Sequence, residues 1–437
     1  MALSHRSGRL AGRAVWVIAD QALSSLSNAA LALVIATQVT TTEYGAFALA
    51  FSLYGFAVAS TQSVAGQVLS VKFARADGPA HAAAGSSATG VALGVAVLGG
   101  LVLALTTAFL GGPIQTVLVV LAVLLPGLLV QDTWRSVFIS RGTPAAAFAN
   151  DAVWLVLQAA FIAVPIILHR DSASWYVLAW GAAATLAALY GRHQAGYWPH
   201  VAALRSWFTT HREVVVPSFA GSFAVLGAAQ VAYIAIAAIG TLADVGALRA
   251  TQTLLGPVNI LSFAASAFLI PEVARRGVSA RVLTQVAVGS SVVLAGVTAA
   301  WGAVFLLLPA SAGRFLLGDT WASAREVLPW MLVFSCCIAL TSGATSMMRA
   351  WNRGSHAFWV SAALGPMVLA LSAFGAHADG AVGAAVGFAV AAGSSIPLAW
   401  FLFARVAARG PATEKDQTAR VLEDDRSDSG RDTAGAP

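Results

Sequence analysis

Residues 14–404 consist of twelve long apolar stretches divided by short polar connectors. A helix needs about 20 mostly apolar residues to cross the hydrocarbon core of a bilayer. The pattern therefore predicts spans over 14–39, 44–70, 83–110, 114–139, 148–168, 175–195, 214–240, 246–271, 283–309, 326–348, 357–376 and 381–404. Strands of a membrane barrel would alternate polarity over about ten residues, and these stretches do not. The fold class that follows is an all-α polytopic membrane protein of twelve transmembrane helices in two six-helix bundles, 14–195 and 214–404. Between the bundles, the connector 196–213 places Trp198, Val201, Leu204, Trp207 and Phe208 beside His200, Arg205 and His211. That spacing suits a short amphipathic helix on the membrane surface, or a plain tether. Residues 1–13 are read as a cytoplasmic N-terminus leading into a retained first span. The tail 405–437 has 6 basic and 7 acidic residues and no aromatics, a composition expected to stay disordered.

Charge fixes the expected orientation. With each of the 25 Lys and Arg assigned to its nearest connector, 21 go to the termini and even-numbered connectors and 4 to odd-numbered ones. Basic residues are retained on the cytoplasmic side, so both termini are expected there, in an inner (cytoplasmic) cell membrane. Only 10% of residues are charged and 58% are hydrophobic, against about 25% charged in soluble domains. The net charge of +6 is thus explained by juxtamembrane clusters, and no nucleic-acid partner is expected. Cys336 and Cys337 are adjacent inside an apolar stretch, with neither disulfide nor metal-ligand spacing. No metal and no cofactor is expected.

The two halves resemble each other. Glu43-Tyr44-Gly45-Ala46 opens the second span and Asp244-Val245-Gly246-Ala247 the eighth. Ala74-Arg75 and Ala274-Arg275 close the same spans, and Arg141-Gly142 and Arg353-Gly354 follow the fourth and tenth. Six spans per half give both halves one orientation, a parallel pseudo-repeat of the kind transporters use, with a cavity expected between them.

Polar residues interrupt several spans. Asp20, Gln21, Ser24, Ser27 and Asn28 mark the first, Ser63, Gln67 and Ser70 the second, and Arg249, Gln252, Asn259, Ser262 and Ser266 the eighth. Spacings of three and four place each set on one helix face. Hydrocarbon does not satisfy such groups, so they face other helices or water. Asp20 is either a cation or proton site or the partner of a basic residue such as Arg13. Asp132 and Arg135, three apart, either pair with each other or leave Arg135 pointing into a cavity with Asp132 orienting it. Asp151 suits a helix N-cap. Arg249 has no acid on its own face, and its planar fork is suited to phosphate oxygens.

The run Asp20-Gln21-Ala22-Leu23-Ser24-Ser25-Leu26-Ser27-Asn28, followed by Thr41-Thr42-Glu43-Tyr44-Gly45-Ala46-Phe47-Ala48, resembles the start of the polysaccharide-unit flippases. These are the O-antigen and teichoic-acid export proteins of the multidrug/oligosaccharidyl-lipid/polysaccharide exporter superfamily. Ile270-Pro271-Glu272-Val273-Ala274-Arg275 is similar to that group too. The resemblance implies a V-shaped, MATE-like fold. It implies movement of a lipid-linked saccharide from the inner to the outer leaflet by alternating access, in cell-surface polysaccharide (lipopolysaccharide) biosynthesis. Partners would be the lipid-linked oligosaccharide, membrane lipids and other polysaccharide-biosynthesis proteins. Arg249, Gln252, Asn259, Arg135, Asn28 and Gln67 are the candidate substrate-binding residues, and Asp20 and Asp132 the candidate ion-coupling residues. Drug exporters of the same superfamily place acidic residues in the cavity, so Asp20 keeps an ion-coupled multidrug exporter as the second reading. A glycan polymerase or ligase is a third class, but the short outer connectors, with no nucleophile triad or Gly-rich phosphate loop, speak against an enzyme.

Overall fold

The structure is a computed structural model. It describes residues 2–73, 76, 78–223, 228–276, 278–351 and 353–410. Ala74-Arg75, the tail from 411 and the Asn259 side chain lie outside the described residues.

The first half comprises α1 (Ala2–Gln38), α2 (Thr41–Thr61), α3 (Gly78–Thr106), α4 (Gly112–Ser140), α5 (Pro144–Ile167) and α6 (Ala173–Ala195). Helix α1 begins well before the apolar run does. Helix α2 continues through two π-turns, Gln62–Gly66 and Leu69–Phe73. The connector carries α7 (Leu204–Thr210). The second half has α8 (Arg212–Ser222), α9 (Ala228–Ile239), α10 (Leu242–Arg276), α11 (Ala280–Leu306), α12 (Ala310–Leu317), α13 (Thr320–Ala350) and α14 (Gly354–Arg409). The last is two helices. Asp379 (φ −150°, ψ 37°) and Gly380 (φ 52°, ψ −133°) break it, and the arms fold back with Gly375 and Gly383 in contact, where a Cβ on either would strike the other's carbonyl. Nine helices among the described residues are long and apolar enough to cross a membrane. With α14 divided, and α8 and α9 taken as one pass, the helix order is consistent with the twelve spans read from the sequence.

Packing distinguishes two ends of the molecule. The basic end carries the α4–α5 connector, α7 and Arg409; the far end carries the α1–α2 connector. Toward the far end, one apolar core joins both halves. Leu31, Ile35, Phe47, Leu121 and Trp180 pack with Leu254, Leu317, Trp321 and Leu328. Ala48 and Leu49 of α2 sit in a second core with Tyr233, Leu248, Met331 and Phe388. Toward the basic end the cores separate. Val64, Leu69, Trp134, Phe138 and Trp207 form one, which Val215 at the start of α8 joins. Leu283, Met347, Trp351 and Phe403 form the other, with no first-half residue among its buried members.

The far-end junction is backbone against backbone. A Cβ at position 45 would collide with the carbonyl oxygen of Leu242, and one at 246 would lie 2.9 Å from that of Thr41. Glycine at both positions allows α2 and α10 this close approach. The neighbouring carboxylates act in parallel. Glu43 Oε2 accepts from the amide of Ala173 (2.7 Å), the first residue of α6. Asp244 Oδ1 accepts from the amide of Ala381 (2.9 Å), where the second arm of α14 begins. The acid–Gly motif repeated in the sequence thus performs the same capping in each half, with its two glycines meeting at the junction.

Candidate functional site

Helices α1, α2, α4 and α5 converge on a polar cluster inside the first half. Arg135 donates from Nε to Asp20 Oδ2 (2.6 Å) and from Nη2 to Gln21 Oε1 (3.1 Å), and lies 3.9 Å from Asp151 Oδ2. Gln62 donates to Asp132 Oδ2 (2.6 Å) and accepts from Ser136 Oγ (2.9 Å). Gln131 donates to Asp151 Oδ1 (2.7 Å) and Asn150 Oδ1 (3.2 Å). Three carboxylates, each under 8% exposed, thus surround one guanidinium. Asp20 Oδ1 is buried with no hydrogen-bond partner among the described residues. A buried carboxylate beyond the reach of a countercharge is costly. Among the described residues, no group of three or more His, Cys, Asp or Glu is arranged to hold a metal ion. A cavity of ≈310 Å³, lined by Gln21, Gln62, Asp132, Arg135 and Ser136, opens beside the cluster.

A second cluster lies where the halves meet. Arg249 of α10 donates to Ser52 of α2, to Gln230 Oε1 of α9 (2.8 Å) and to Gln252 Oε1 (3.0 Å). Its guanidinium lies 3.8 Å from the Tyr233 ring centroid. No carboxylate pairs with it among the described residues. Arg249 Nε and the Tyr233 hydroxyl are buried and unpartnered there. The cation is therefore held by neutral amide, hydroxyl and aromatic groups, with donor capacity left over.

These positions correct two sequence expectations. Asp132 and Arg135 do not pair with each other. Each reaches across to another helix, because tertiary partners on α2 and α1 outbid the i,i+3 contact. Asp20 pairs with a basic residue, Arg135, one of the two alternatives read from the sequence. Asp151 caps nothing: α5 starts at Pro144, one turn and more earlier, and Asp151 is turned into the core. Of the remaining candidates, Asn28 is half-buried on α1 and Gln67 is exposed on α2, and neither joins a cluster. Gln62, Gln131, Asn150, Gln230 and Tyr233 were not anticipated. The adjacent pairs Gln131-Asp132 and Asn150-Asp151, each inside an apolar span, were the available signal.

The fold is that of MATE-type transporters. A multidrug resistance MATE family transporter of the MOP superfamily in an inward-facing conformation superimposes with a TM-score of 0.69 at 12% identity, covering 91% of this chain and 100% of that one. The lipid II flippase MurJ in an inward closed conformation also gives 0.69, at 8% identity, over 89% of this chain and 87% of that one. An outward-facing MATE family transporter gives 0.51 at 12% identity, over 90% and 94%. No family model matches the chain, and no curated protein matches its sequence.

Proposed function

We propose that this chain is a flippase or exporter that moves a lipid-linked saccharide unit from the inner to the outer leaflet by alternating access. The observation that carries the reading is Arg249: a cation without a carboxylate among the described residues, held by amides and hydroxyls at the junction of two halves whose cores part toward the basic end. Phosphate oxygens of a lipid-linked head group would take the unused guanidinium donors, and Gln230, Gln252 and the Tyr233 hydroxyl would bond sugar hydroxyls. The lipid tail stays in the bilayer, and no covalent step is needed. By the distribution of basic residues the basic end faces the cytoplasm, so the conformation described accepts substrate from inside.

The acid cluster favours a second component of the reading, ion coupling. Three buried carboxylates against one guanidinium exceed its charge, and that excess is what a coupling proton or cation would neutralise. If coupling drives a drug rather than a glycan, the chain is an ion-coupled multidrug exporter. The test is reconstitution in vesicles with a fluorescent undecaprenyl-diphosphate saccharide, followed by quenching of the outer leaflet. Translocation that falls at least tenfold in Arg249→Ala, but persists in Gln67→Ala, supports the glycan reading. Equal translocation by Arg249→Ala and the unsubstituted protein rejects the assignment of Arg249. Transport of organic cations that is lost in Asp20→Asn, with no glycan movement, selects the exporter.

A further inference from the structure

The bilayer-facing side of the first half carries a second feature, away from both polar clusters. A cavity of ≈240 Å³ lies between α4, α6 and the connector, bounded by Leu93, Thr185, Leu189, Arg192 and Trp198. A further ≈280 Å³ continues from the same Pro126 between α3 and α4, past Val97, Leu101 and Val123. Val123 is 74% exposed, and Val97, Leu101 and Leu189 are exposed with it, so this groove opens to the acyl chains and not to the crevice between the halves. Its walls are apolar except at one mouth.

That mouth holds Arg192, in the last turn of α6 at the basic end. The guanidinium lies 3.7 Å from the Trp198 ring centroid, and no carboxylate pairs with it among the described residues. Stacking occupies a face of the guanidinium and leaves its in-plane N–H edge for a phosphate. Trp198 is fixed in turn. Ser86 Oγ donates to its carbonyl (2.6 Å), and the His200 amide donates to the Ser86 carbonyl (2.8 Å), which docks the connector on α3. An exposed Trp beside an Arg, at the end of an apolar groove, matches the polarity profile of the membrane interface.

From this geometry we infer that the groove binds an anionic glycerophospholipid, its phosphate on Arg192 and one acyl chain in the cavity between α4 and α6. The length agrees. Trp134 to Pro126, the stretch of α4 that lines the first cavity, is about 12 Å at 1.5 Å per residue, within half of the ~30 Å hydrocarbon core, which suits the chain of a single-leaflet lipid. Charge agrees as well. The basic end is the side expected to face the cytoplasmic leaflet, where anionic lipids gather. The site is independent of the transport reading, since it shares no residue with either polar cluster.

Native mass spectrometry of delipidated protein in neutral detergent tests it. The probes are phosphatidylglycerol, phosphatidylcholine of the same chains, and glycerol 3-phosphate. Phosphatidylglycerol adducts should exceed phosphatidylcholine adducts at least fivefold, and glycerol 3-phosphate should give none. Arg192→Gln should remove that preference by weakening head-group binding. Leu93→Trp should lower retention of both lipids by filling the groove while keeping Arg192. An unchanged elution profile and thermal transition certify that each variant is folded, and Arg192→Lys should retain part of the preference. Equal binding of the two lipids by the unsubstituted protein, or undiminished phosphatidylglycerol binding by both folded variants, overturns the inference.

Discussion

At the scale of single residues, the acid cluster separates carboxylates by what each holds. Asp20 has a charged partner, Arg135, at 2.6 Å, and both are largely buried. Asp132 accepts from the neutral amide of Gln62. Removing the Asp20 charge takes away the short charged hydrogen bond and leaves Arg135 only the longer contact with Asp151, at a cost of about 1.5–3 kcal/mol. Replacing Asp132 by Asn keeps an acceptor for Gln62 and removes a charge from an over-acidic cluster, so its cost should stay near that of a single neutral hydrogen bond, about 1 kcal/mol. Thermal unfolding in detergent should therefore rank Asp20→Asn well below Asp132→Asn. The reverse order would mean that Asp20 and Arg135 do not form the central pair. The sequence made Asp20, Asp132, Arg135 and Arg249 visible, because a charge inside an apolar span needs a reason to be there. Their partners were not visible. Pairing across 115 residues, as between Asp20 and Arg135, depends on which helix faces touch, and helical periodicity within one span carries no such information.

At the scale of elements, the π-turn in α2 explains the placement of α7. A π-turn shifts the hydrogen-bond ladder of a helix and can free a carbonyl for an outside donor. The Val64 carbonyl, inside Gln62–Gly66, accepts from Trp207 Nε1 (2.9 Å), and the Trp207 ring is buried against Phe73 and His211. Trp207→Phe should cost about 1 kcal/mol for the lost hydrogen bond, whereas Trp207→Ala should cost about 3–5 kcal/mol through the cavity it leaves. Lys72 at the end of α2 pairs with Glu213 at the start of α8, close to His211. Partial burial, and then Lys72, hold the His211 ring below its ordinary pKa, against a smaller opposing pull from Glu213. The docked state therefore prefers neutral His211. Docking is complete above the ordinary value of about 6.5 and weakens as pH falls through it. Lys72 lowers the Glu213 carboxyl as well, so its contribution is present above the usual carboxylate range and is lost only in more acid solution. Proteolysis of the 196–213 connector should rise as pH falls below about 6.5, and His211→Phe should abolish that rise. A connector equally resistant above and below that pH would contradict the docking. The apolar spacing of the connector was legible; the π-turn that receives Trp207 was not, because no residue pattern in 62–66 distinguishes it from ordinary helix.

At the scale of the whole molecule, alternating access requires the far-end junction to open, and what holds it shut is identifiable. Gly45 and Gly246 bring two backbones together, apolar cores bridge the halves around them, and Arg249 of α10 bonds Ser52 of α2. The repeated acid–Gly motif hinted at this symmetry. That its glycines meet each other was not readable, since a repeat shows equivalence and not contact. Backbones in contact leave no space for a side chain, and packed interfaces resist added volume by 1–3 kcal/mol or more. Gly45→Leu should therefore destabilise the closed far end specifically. In a Cys336→Ser/Cys337→Ser background, a Cys at Ser52, 2% exposed in the state described, reports on it. An impermeant thiol reagent should leave Ser52→Cys unmodified from the far side, while Gln21→Cys, at the cavity of the first half, reacts from the basic side. Adding Gly45→Leu should raise far-side modification of Ser52→Cys at least tenfold, because a shift of 1.4 kcal/mol toward the open form is a tenfold change in its population. Labelling of Gln21→Cys should fall in parallel if one end closes as the other opens. Should Ser52→Cys become reactive with no loss at Gln21→Cys, the halves separate without alternating, and the transport cycle proposed for this fold would have to be replaced by a channel-like one.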